Sequence, residues 1–136
     1  YAAKFRVYCV VGDGECNEGQ VWEAAANASH YRLDNLTAII DHNHFQSTGM
    51  VEKKMNMLSL ADKFHSFGWE VREIDGNRMS DVVAALDWAG TVEGKPQAII
   101  AQTVKGKGLP AYENTNCHFV KITDEMIKMG QEALKD

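Results

Sequence analysis

Apolar and polar positions along the chain switch between a strand period and a helix period. Phe5 to Val11 (FRVYCVV) is β-branched and aromatic, of strand length, and stops at Gly12. From Glu18 to about Tyr31 the text is alanine-rich, with Val21, Ala24, Ala25 and Ala28 recurring at helical spacing. Glu23 is the lone charge in its middle, so the pattern predicts a helix buried on most sides, at a subunit contact. Leu36 to Ile40 (LTAII) predicts a second strand, ending in Asp41-His42-Asn43-His44, with a loop to about Asn56. Ser59 is placed to cap a helix through Phe67 that Gly68 stops. Trp69 to Ile74 alternates as a third strand, and Ser80 predicts the cap of a helix to about Thr91. Gln97 to Val104 (QAIIAQTV) is apolar in its middle, as strands buried on both faces are. A loop follows, and Thr123 opens a last amphipathic helix.

Strands that alternate with helices predict β-α-β units: an α/β fold with a mostly parallel sheet and helices on both faces. Ligands in such folds sit at the C-terminal ends of the strands. Three segments share that edge: Gly12-Asp13-Gly14, Asp41 to Gln46, and Lys105 to Gly108.

Composition narrows the class. The chain has 136 residues, the size of one domain, and 45% hydrophobic content is ordinary for a globular one. A net charge of −5 argues against nucleic-acid binding, which needs a phosphate-neutralising surface. Cys9, Cys16 and Cys117 are odd in number and show no C-x-x-C spacing, which predicts reduced thiols in the cytoplasm. No apolar run reaches membrane-spanning length. The chain lacks an initiator Met and enters a strand almost at once, so it reads as part of a longer protein.

Gly12-x-Gly14 between a strand and a helix invites a dinucleotide reading, but the third glycine of that fingerprint is Asn17 here. Magnesium suits the residues better, since it takes few carboxylates and the oxygens of a bound phosphate. Asp13 offers a carboxylate, Asn43 an amide oxygen, and a main-chain carbonyl after Asn43 a third donor. The plain alternative is that Gly12-Asp13-Gly14 only turns the chain and Asn43 only caps a loop; spacing leaves both open. His42-x-His44 lacks a third ligand nearby in sequence and reads as polar loop. His30 and His65 read as structural, and Trp22, Trp69 and Trp88 as core or interface. Cys16, close to a helix N-terminus, sits where thiol pKa values fall, without a histidine or resolving cysteine to make it catalytic.

The text GDGECNEGQVWEAAANASHYRLDNLTAIIDHNHFQSTG resembles the thiamine-diphosphate motif, which opens with GDG and closes with an asparagine, here Asn43. The V-W-E-A and Y-x-L-D-N-L stretches resemble transketolase specifically, and the likeness continues through FGWEVREIDG and AIIAQTVKGKG. It implies the later part of a thiamine-diphosphate/Mg²⁺-binding domain spanning 1–136. It further implies that Asp13, the Asn43 side chain and the Phe45 carbonyl ligate Mg²⁺. Gly12 and Gly14 would pass close to the diphosphate, Lys105 and Gln46 would contact the cofactor, and His118 would stand beside the diphosphate and the reacting centre. Glu18 would lie at a subunit interface. The family pattern around that histidine is Trp-His-Gly, where this chain has Cys117-His118-Phe119.

The implied activity moves a two-carbon ketol unit from a ketose phosphate to an aldose phosphate. The implied partner is a C-terminal transketolase subunit carrying the pyrimidine-binding domain, with self-association besides. The other readings are a deoxyxylulose-phosphate synthase-like enzyme or an inactive binding module.

Overall fold

The computed structural model describes residues 5–135. Strands β1 (Val7–Gly12), β2 (Leu36–His42), β5 (Glu70–Asp75) and β6 (Gln97–Gln102) form one parallel sheet in the order β1-β2-β6-β5. The segment expected to be plain loop after β2 contains a small antiparallel hairpin, β3 (Phe45–Gln46) and β4 (Gly49–Met50), followed by a single helical turn, α2 (Val51–Lys54). Helices α1 (Gly19–His30), α3 (Leu60–Ser66), α4 (Met79–Ala89) and α5 (Asp124–Ala133) complete the fold.

The strand period divides the core in two. Ala38 and Ile40 of β2 and Ala98 and Ile100 of β6 point to one face, where Ala25 and Ala28 of α1 and Leu60 and Phe64 of α3 meet them. Ile39 and Ile99 point to the other face, against Ala85 and Ala89 of α4. The central strands are therefore apolar on both sides, which is why β6 reads as an unbroken apolar run. Trp69 lies in the first core and donates its indole N–H to the Ala25 carbonyl at 2.9 Å, tying α1 to the strand that follows α3.

One sequence expectation, the Ser80 cap, gives way. Within this one chain helix α1 buries a single stripe, Ala25 and Ala28, while Glu23, Ala24, Ala26 and Asn27 are left for any subunit contact to cover. Helix α4 starts at Met79, one residue before Ser80, from an Arg78 cap residue whose donor-only guanidinium cannot accept a capping bond; the Ser80 hydroxyl donates to Asp81. The other two caps hold. Ser59 accepts from the Asp62 N–H at 3.0 Å, and Thr123 accepts from Met126 at 3.3 Å.

Candidate functional site

The parallel register sets Gly12 opposite Asp41, so β1 and β2 release the chain at the same edge of the sheet. One residue on, the Asp13 N–H donates to the Asp41 carbonyl at 3.1 Å, and β6 delivers Thr103 alongside, its N–H to the His42 carbonyl. The three segments named from the sequence therefore converge. They surround a cleft of about 790 Å³ walled by Gly12, Gly14, Glu18, Asn43, Phe45 and Gln46, with Lys105 and His118 reaching it from the loop after β6.

Each wall residue is fixed by a local cause. The Asp41 carboxylate accepts from the Thr103 hydroxyl and, at 2.8 Å, from the Asn43 amide N–H. That bond orients the Asn43 amide, whose Oδ1 accepts from the Phe45 N–H at 2.9 Å. Gln46 is held across the turn by the Asn17 side chain, which donates to it at 3.4 Å. The Glu15 carboxylate accepts from the Gly12 N–H at 3.2 Å and folds the short 3-10 turn Glu15–Asn17 back on the strand. The Lys105 loop is braced where the Asn114 N–H donates to the Lys105 carbonyl at 2.9 Å. Gly106, at φ 74°, lies so close to the Tyr112 carbonyl that an added Cβ would sit 2.6 Å from its oxygen. Lys107 pairs with Glu113 at 3.4 Å, and the Gly108 N–H, then Lys107, holds the Glu113 carboxyl below its ordinary range. Lys107 is thus engaged in the loop while Lys105 lines the cleft.

Asp13 stands apart from its neighbours. It is 1% exposed, accepting from the Gly14 N–H at 2.8 Å and the His44 N–H at 2.6 Å. It also borders a second cavity, on the His42 side. Burial pushes its pKa up, outweighing those two donors and the nearby histidines. His42 is pushed down by burial and by His44, against the pull of Asp13. Cys16 is fully buried and its thiol is pushed up to about 12 by desolvation and by Asp13 and Glu15, opposite to the fall expected near a helix start. Asp41, placed at this edge by the sequence but given no role there, orients Asn43.

The family model for the transketolase thiamine diphosphate binding domain matches residues 2–134. The chain belongs to that family. A 6-deoxy-6-sulfo-D-fructose transketolase subunit of Clostridium sp. (strain MSTE9) is 42% identical over 130 residues, covering 95% of this chain and 47% of that protein. An apulose-4-phosphate transketolase subunit from Phocaeicola vulgatus is 40% identical, covering 82% of this chain and 40% of its own length. Among solved structures, the transketolase of Campylobacter jejuni superposes with a TM-score of 0.88 at 32% identity, over 95% of this chain and 20% of that one. This transketolase-family chain thus spans less than half the length of these relatives. Among the described residues, no helix is long and apolar enough to cross a membrane.

The donor chemistry of this transketolase-family edge fits a magnesium–diphosphate group. Asp13, Asn43 and the Phe45 carbonyl are hard oxygen donors of the kind magnesium takes, and a buried carboxylate with a raised pKa is one that a neighbouring cation stabilises in its charged form. Lys105 and His118 supply the basic groups that a phosphate wall needs.

Proposed function

We propose that this chain is the diphosphate-anchoring part of a transketolase. In this reading residues 1–136 form the later part of a thiamine-diphosphate/Mg²⁺ domain that works in an assembled enzyme with a C-terminal, pyrimidine-binding subunit. The single observation that carries it is the convergence of Gly12, Gly14, Asn43, Phe45, Gln46, Lys105 and His118 on one cleft at the C-terminal edge of the sheet. Two relatives bear the name of transketolase subunits, which supports a divided enzyme.

The residues divide the work by chemistry. Asp13, the Asn43 amide oxygen and the Phe45 carbonyl hold Mg²⁺. Gly12 and Gly14 leave the backbone bare beside the diphosphate, so that its oxygens can approach closely. Gln46 and Lys105 contact the cofactor. His118, exposed at the rim, donates to phosphate or substrate oxygens next to the reacting carbon. Glu18, at the start of α1, meets the partner subunit. When bound, thiamine diphosphate would supply a nucleophilic ring carbon and, in its cationic thiazolium, the electron sink for carbon–carbon bond cleavage. This chain contributes position and charge, so ketose phosphates donate and aldose phosphates accept only in the assembled enzyme.

The test is a titration of the chain with thiamine diphosphate and Mg²⁺, alone and with a C-terminal transketolase subunit, followed by a ketol-transfer assay. Cofactor retention by the mixture should require Mg²⁺ and be abolished in Asp13→Ala and Asn43→Ala. A mixture that neither retains cofactor nor transfers ketol sinks the reading. Undiminished retention in both variants would overturn the metal assignment alone.

A further inference from the structure

The strand ends that wall the cleft carry a second set of ligating side chains on their opposite face. Side chains alternate along β2, so Asp41 and Asn43 line the cleft whereas His42 and His44 line a separate cavity of about 300 Å³. The parallel register brings the one missing partner from β1: the step after the Gly12–Asp41 pair puts Asp13 beside His42, with Oδ2 4.0 Å from Nε2. His44 is turned back by a left-handed backbone at φ 66°, its ring centroid 4.3 Å from that of His42. One ligating atom from each of Asp13, His42 and His44 lies within 4.8 Å of the other two. The pair of loop histidines that lacked a third ligand in the sequence has one in space. The His42 Nδ1 is buried and has no hydrogen-bond partner among the described residues.

We propose that Asp13, His42 and His44 form a two-histidine, one-carboxylate site for a divalent transition-metal ion. An ion held there would border the cavity that Glu52 and Asn56 also line. Ligands around such an ion stand roughly 3 Å apart at ordinary bond lengths, so modest side-chain rotation closes the site without moving the sheet. Imidazole selects iron, cobalt, nickel, copper or zinc over magnesium, which takes oxygen. The two cation sites differ in ion class, share Asp13, and otherwise use different residues. Binding at this one needs neither thiamine diphosphate nor a partner subunit.

The metal-stripped chain is titrated with Co²⁺, whose visible absorption reports imidazole ligation, and the bound ion is then displaced with Zn²⁺. One equivalent should bind, and affinity should fall by more than about tenfold in His42→Ala and in His44→Gly. Glycine is chosen at His44 because it accepts the left-handed backbone there. His30→Ala, on the exposed end of α1, should bind Co²⁺ as the unaltered chain does. Circular dichroism checks each variant, and His44, being exposed, carries the test should His42→Ala unfold. A chain without a saturable cobalt signal, or a folded His44→Gly with undiminished affinity, overturns the proposal.

Discussion

Gly14 is a glycine for want of room rather than for its dihedrals. Its φ of −66° and ψ of −32° suit any residue, but a Cβ there would lie 2.5 Å from the Gln46 Cβ. Gly14→Ala must therefore push the hairpin away from the turn, at a cost of about 1–3 kcal/mol. Thermal unfolding should show that loss in Gly14→Ala and its recovery in Gly14→Ala/Gln46→Gly; a single variant as stable as the parent would refute the contact. Residues of this kind were partly legible in the sequence. Gly12, Gly14 and Asn43 stood out by their place at the strand ends, and the structure brings them to one cleft. The burial of Cys16 did not stand out, since nothing local in E-C-N announces that the turn folds its thiol inward. Nor did the third partner of His42 and His44, because Asp13 comes from another strand and only register unites them.

Among the elements, those with a strong period were read correctly and those without one were not. β2 and β6 announce themselves by β-branched residues buried on both faces, and α3 by a serine three residues before an acid. The hairpin β3–β4 was missed because strands of two residues carry no alternation to detect. Ser80 misled because α4 begins one residue ahead of it, which leaves the serine inside the first turn, bonded to Asp81. The Ser59 cap has no such rival. Ser59→Ala should lower stability by about 1 kcal/mol, read from a denaturant midpoint with unchanged slope. Equal midpoints for the two proteins would mean that the Ser59 bond adds nothing to α3.

The molecule as a whole is unevenly covered. Helix α4 packs over β5 and β6, leaving the same face of β1 open, so that Tyr8 is 50% and Val10 69% exposed. The outer edge of β1 pairs with no strand among the described residues. An apolar edge strand of this kind templates association. Sedimentation velocity should show concentration-dependent self-association that Val10→Lys weakens while leaving the melting temperature nearly unchanged. A lysine variant that associates as strongly as the parent would locate any contact elsewhere. The sheet order has a further effect, on the chain as it is made. β6 lies between β2 and β5 yet comes after both in sequence, with Thr37 and Gln97 paired across 60 positions. A ribosome that has released β1, β2 and β5 has therefore released two pieces of sheet with no strand to join them. The cleft edge acquires its Thr103 and Lys105 only after β6 is inserted, so folding should be late, cooperative and slow for a domain of this length.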